Sequence, residues 1–107
     1  MTTEELRLWH TQREGWGREH RHTHPNGVKQ FVWVMDGGQE SFDDIYRDTI
    51  DDAAAAMPYG WDWWKTSGEW LAQAAGTSFV RVKDTGDEIH DRYLLAKLAW
   101  EAMDAAK

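Results

Sequence analysis

The sequence predicts a small α+β domain: a three-stranded, largely antiparallel sheet packed against helices, in the order α-β-β-α-α-β-α. Three observations carry this expectation. The chain has 107 residues, enough for one domain around one core. A His24-Pro25-Asn26-Gly27 turn joins two extended runs. An apolar stripe of helical period runs through the C-terminal segment.

Taken in order, Thr3 to about Gln12 reads as a short helix, with Thr3 as N-cap, Glu4 and Glu5 in its first turn, and Leu6 and Trp9 as apolar marks. Gly15 and Gly17 break it. A polar strand, about Arg18–His24, contains no apolar residue and suits an exposed edge. The following strand, about Val28–Met35, is apolar on both faces at Phe31–Met35 and suits a central position. Asp36-Gly37-Gly38 ends it. Ser41 then caps a helix over about Phe42–Met57, with Phe42, Ile45, Tyr46, Ile50, Ala53 and Met57 on one stripe.

Pro58-Tyr59-Gly60 terminates that helix. Thr66 and Glu69 have capping-box spacing, which predicts another short helix closed by Gly76. Ser78–Lys83 reads as the third strand. Thr85 and Glu88 repeat the capping-box spacing ahead of a helix from about Gly86 to Ala105. There Ile89, Tyr93, Ala96, Trp100 and Met103 form the stripe, and Leu94, Leu95 and Leu98 widen it. No repeat, low-complexity tract or linker interrupts the chain, so residues 1–107 are expected to form a single domain.

Composition narrows the function classes. With no cysteine, disulfides, thiolate metal sites and thiol nucleophiles are excluded. Met1–Arg21 lacks the apolar stretch of a signal peptide, and the longest apolar runs, Phe31–Met35 and Ala53–Met57, are far too short to span a bilayer. A cytoplasmic location without membrane contact is the expectation. The net charge is -7 and unevenly placed, with four of the five histidines in residues 1–34 and the acidic excess in residues 35–107. Such a field repels nucleic acid and favours a protein partner with a basic surface.

Three constellations stand out. His20, His22 and His24 alternate, so a regular strand would project all three imidazoles from one face, and an H-x-H pair can seat a zinc-like ion. His20 and His24 would be about 13 Å apart on such a strand, so two of them would need help from His10, His90 or a carboxylate. A solvated polar edge strand accounts for the same pattern.

Tryptophan is the second, with eight residues, four of them within 61–70. Trp33 and Trp100 occupy core-facing positions. Tyr59, Trp61, Asp62, Trp63, Trp64 and Trp70 form a candidate partner-binding surface, since consecutive tryptophans cannot all face one interior and exposed indoles are good interface anchors. The same residues suit an aromatic pocket for a cation or a sugar, or simply a small core. The third constellation is Asp44, Asp48, Asp51 and Asp52, which lie opposite the apolar stripe of the expected Phe42–Met57 helix. Four-residue steps give about 6 Å along a helix, near the phosphate spacing of a nucleic-acid strand, so the stripe suits a DNA mimic as well as a solvated face.

Catalytic signatures are missing: there is no G-x-S-x-G, no phosphate-binding glycine loop and no H-E-x-x-H. The expectation is a small acidic interaction protein without enzymatic activity or cofactor, such as an accessory or inhibitor domain of phage type. The alternatives are a metal-binding protein or metal-dependent enzyme using the histidine strand, and a small-ligand binder with an aromatic pocket.

Overall fold

The structure, a computed structural model, describes residues 1–106. It is α+β, with three helices and two three-stranded antiparallel sheets where the sequence suggested one. Helix α1 (Thr3–Arg13) leads into β1 (Trp16–Thr23), β2 (Lys29–Met35) and β3 (Glu40–Ser41), which form the first sheet with β2 in the middle. Helix α2 (Ile50–Ala55) follows. The second sheet is a meander of β4 (Trp61–Thr66), β5 (Glu69–Ala74) and β6 (Val80–Lys83), and α3 (Glu88–Ala105) closes the chain.

The segment after Thr66 is a strand, not a helix. Thr66 and Glu69 face each other across the two-residue turn Ser67-Gly68, with Gly68 at φ +99. Only glycine takes that conformation without strain, so the same spacing that resembles a capping box closes a hairpin. Glu69-Trp70-Leu71-Ala72-Gln73-Ala74 has good helix formers, and tertiary pairing overrides that weak local preference.

The expected helix over Phe42–Met57 shortens to α2. Its N-cap is Thr49, whose side chain accepts from the Asp52 amide. The segment upstream is held by side chains from elsewhere: Asp44 accepts from Arg7 of α1 and from the Trp33 indole, and Asp52 in the first turn of α2 accepts from the Arg47 backbone and guanidinium. Short polar side chains that bond elsewhere compete with helix formation in this way. Helix α1 is capped one residue earlier than expected, by Thr2 with Glu5 in a complete capping box. Helix α3 is capped by Asp87, while Thr85 bonds the buried Asp91 carboxylate through both its amide (2.9 Å) and its hydroxyl (2.7 Å).

Two cores meet on α3. Leu95 and Ala99 pack against Trp61, Trp70, Ala72 and Val82 of the second sheet. Tyr93 and Ala96 pack against Leu6 of α1, Ala53 of α2 and Ala56 at its C-cap. The wide apolar face of this helix is two faces, each with its own partner. The first sheet contributes little to either core. In β1 only Trp16 is buried and in β2 only Val32, and the radius of gyration of 16.0 Å exceeds the roughly 13 Å of a compact domain this long.

The packing sets a clear order of mutational cost. Trp70→Ala and Leu95→Ala should each destabilise the domain by about 3–5 kcal/mol in urea unfolding. Trp64→Ala, on the opposite face of the sheet, should cost less than about 2 kcal/mol. Equal losses at all three positions would contradict the placement of the core.

Candidate functional site

The tryptophan-rich strand is where an extended backbone matters most. Successive side chains alternate, so Trp61 and Trp63 of β4 turn toward α3 while Asp62 and Trp64 turn away. Cross-strand pairing puts Trp70 and Ala72 on the inner face and Leu71 and Gln73 on the outer. Trp61 and Trp70 are therefore core residues. Trp63 packs at 6.1 Å from Trp70, with the Arg92 guanidinium 4.1 Å from its ring centroid. Trp64 is half-buried on the outer face, 5.8 Å from Phe79.

These four indoles do not converge on one pocket. The positions over the inner rings are already held by the protein's own cations, Arg92 over Trp63 and Lys65 over Trp70 at 5.1 Å. Lys65 is in turn paired with Asp84 at 3.1 Å. An aromatic cage for a cationic ligand built from Trp61, Trp63, Trp64 and Trp70 does not form.

An open groove does form at the end of the second sheet, where Tyr59, Trp61, Phe79, Val80 and Met103 surround a space of about 670 Å³. Its floor is kept low by Ala74, Gly76, Ala102 and Ala106, and among the described residues no charged side chain lines it. Tyr59, in the Pro58-Tyr59-Gly60 turn, is fully exposed, and Phe79 is 50% exposed. Tyr59 and Trp61 were legible candidates in the sequence. Phe79 and Met103 were missed, although Phe79 sits just ahead of a strand and Met103 lies on the recognised stripe of the last helix.

The acidic residues do not share a helical stripe. Asp44 and Asp48 precede α2, Asp51 and Asp52 begin it, and Asp44 and Asp52 are bound to Arg7 and Arg47. Asp48 and Asp51 remain exposed. The regular phosphate-like spacing therefore has no helix to carry it.

The three histidines are separated by a β-bulge. His20 pairs with Phe31 and His22 with Gln30, leaving Arg21 as the extra residue. Directly paired residues share a face and adjacent ones alternate, so the bulge turns His20 and His22 to opposite faces. His22 and His24 stay together, with ring centroids 4.8 Å apart, while His20 bonds Thr23. Among the described residues no group of three metal-capable side chains gathers.

A second polar cluster, of which only His10 stood among the sequence candidates, as a possible metal ligand, lines a cavity of about 290 Å³ formed by His10, Arg13, Glu14, Tyr46 and Trp100. His10 is only 2% exposed, and its Nε2 lies 2.9 Å from the Tyr93 carbonyl oxygen. A carbonyl only accepts, so Nε2 carries the proton. Burial outweighs this bond and lowers the His10 pKa to about 4. Burial, followed by the hydrogen bond to Glu14, raises that of Tyr46. Arg13 stacks on Trp100 at 4.2 Å and pairs with Asp104 at 3.0 Å. Each polar group has a partner within the protein, which makes this cluster a staple between α1 and α3. The signal was available, since His10 follows Leu6 by one helical turn.

The staple gives a pH dependence of defined sign. Because the folded His10 pKa lies below its ordinary value of 6.5, the unfolded chain binds more protons between about pH 4 and 6.5. The His10 contribution should be fully present above pH 6.5 and lost as pH falls toward 4, on the order of 2–3 kcal/mol. Urea midpoints measured across that window should fall more steeply for the native protein than for His10→Gln, which keeps a donor for Tyr93. Parallel curves would exclude the assignment.

No helix among the described residues is long and apolar enough to cross a membrane. No family model, no curated protein and no solved structure matches this chain.

Proposed function

We propose that this chain is a small acidic interaction domain that holds a protein partner in the groove between Tyr59, Phe79 and Met103. The observation that supports the reading is the groove itself: a concavity of about 670 Å³ without a charged side chain among its described lining residues, with a fully exposed tyrosine and a half-exposed phenylalanine at its rim. Monomeric proteins seldom leave aromatic side chains grouped around an apolar hollow, and aromatic anchors in such hollows dominate binding energy at interfaces. The chain's net charge of -7 adds a preference for a partner whose apolar anchor is flanked by lysine or arginine. In this role the domain acts as an accessory or inhibitor of its partner, without chemistry of its own.

The volume also suits a small apolar ligand, since such sites commonly occupy about 300–1,000 Å³. The openness of the groove to solvent along its length favours an extended or helical peptide over an enclosed small molecule.

Selection of a displayed random-peptide library on the immobilised domain tests this directly. Enriched sequences should carry one or two large apolar anchors beside basic residues. Their affinity should fall at least about 10-fold in Tyr59→Ala/Phe79→Ser. Circular dichroism of the variant is the check on folding, because Tyr59 is fully exposed but Phe79 is only half exposed and packs on Trp64. Peptides that bind the double variant as well as the native domain would place the binding surface elsewhere.

A further inference from the structure

The β1–β2 hairpin projects without cover. Every residue from Gly17 to Phe31 is exposed, on both faces of the ribbon. A two-stranded ribbon in water is marginal by itself, so an arm of this kind gains most from a surface that covers it. Its charge is opposite to that of the molecule. Arg18, Arg21 and Lys29 stand against one carboxylate of the arm itself, Glu19, and His20, His22 and His24 lie among them. Arg21 is also paired with Glu40 of β3, which leaves Arg18 and Lys29 outside the ion pairs among the described residues. The arm therefore carries a formal +2 in a chain of -7, which leaves -9 on the rest. It also exposes Val28 and Phe31.

The complement of this surface is present on the same chain. Between Phe42 and Asp51, Phe42 is 66% and Ile50 43% exposed. Asp43, Asp48 and Asp51 are exposed there and belong to none of the ion pairs among the described residues. Beside them lies a concavity of about 510 Å³ lined by Asp43, Asp44, Ile45, Arg47 and Asp52. Both surfaces mix exposed apolar side chains with charge, and the charges have opposite sign.

We propose that the arm of one copy lies on the Phe42–Asp51 segment of a second copy, reciprocally, in a two-fold dimer. A two-fold axis makes both contacts at once, because each copy supplies one arm and one acidic segment. A nucleic acid and a second copy both meet the net -9 of the remaining surface, but the second copy's Phe42–Asp51 segment also offers exposed apolar side chains to Val28 and Phe31. This surface is separate from the groove at Tyr59, so the dimer stands or falls independently of peptide binding there.

Sedimentation equilibrium of the intact chain tests the proposal, with circular dichroism of each variant as the check on folding. The native protein should dimerise at about 0.02 M salt and dissociate progressively toward about 0.5 M, where the screening length shortens. The arm variant R18E/R21E/K29E and the segment variant D43K/D48K/D51K should each weaken the dimer about 100-fold or more. K29E alone, at a side chain without a ring or ion-pair contact among the described residues, should show a graded part of that loss. Mixing the two triple variants restores opposite charges at both contacts and should return a heterodimer. A native protein that stays monomeric at low salt and high concentration would overturn the proposal. So would failure of the mixture to associate, or an arm-dependent complex of the monomer with a short DNA or RNA duplex.

Discussion

Helix α3 is buried along two faces, and the body of the protein is arranged around that fact. Leu95 and Ala99 meet the second sheet, and Tyr93 and Ala96 meet α1 and α2. The helix–helix side is built on small residues, with Ala96 against Ala53 and Ala56, which lets the backbones approach closely. The sheet side instead receives large residues, Trp61 and Trp70, whose area compensates for a polar sequence with a mean hydropathy of -0.77. Tyr93 also fixes the surrounding chain, since its hydroxyl donates to the Arg47 carbonyl and its own carbonyl accepts from His10.

What α3 does not cover defines the free surfaces. The helix runs on to Ala105, and at that end the sheet offers Ala74 and Gly76 in place of large side chains. The space left between them is the groove. The first sheet is joined to the body near its base, where Arg7 reaches Asp44 and the Tyr46 carbonyl and Trp33 donates to Asp44. Beyond that base, β1 and β2 have no partner layer. The apolar groove and the charged arm therefore arise from the same arrangement, in which one helix organises a body shorter than the molecule's 52 Å length.

The parts of this fold that were legible in the sequence are those decided locally. The Pro25-Asn26-Gly27 turn closes as its chemistry dictates, with Gly27 at φ +87 and its amide on the His24 carbonyl. The edge and central roles of β1 and β2 also follow from their side chains. The Thr66–Gly76 segment was not legible, because a Thr-x-x-Glu spacing serves a helix cap and a two-residue hairpin equally well. The choice depends on Trp70 pairing with Val82, a contact far along the chain. Likewise the histidine alternation is plain in the sequence, but the bulge at Arg21 that divides it depends on register with β2. The alternation of Trp63 and Trp64 was foreseeable on any regular backbone. Which of them faces solvent was decided by the position of α3.

If α3 is the shared wall of both cores, neither core can open while the other stays intact. Native-state hydrogen exchange, followed amide by amide at high salt with added denaturant, measures this directly. The slowest amides of α1 near Leu6, of β5 near Trp70 and of α3 between Tyr93 and Ala99 should share one opening free energy, equal to that of global unfolding. Amides of the arm between Arg18 and Phe31 should exchange through far smaller openings. A second sheet that opens at a distinctly lower free energy, with α1 and α3 still protected, would contradict the central role assigned to α3.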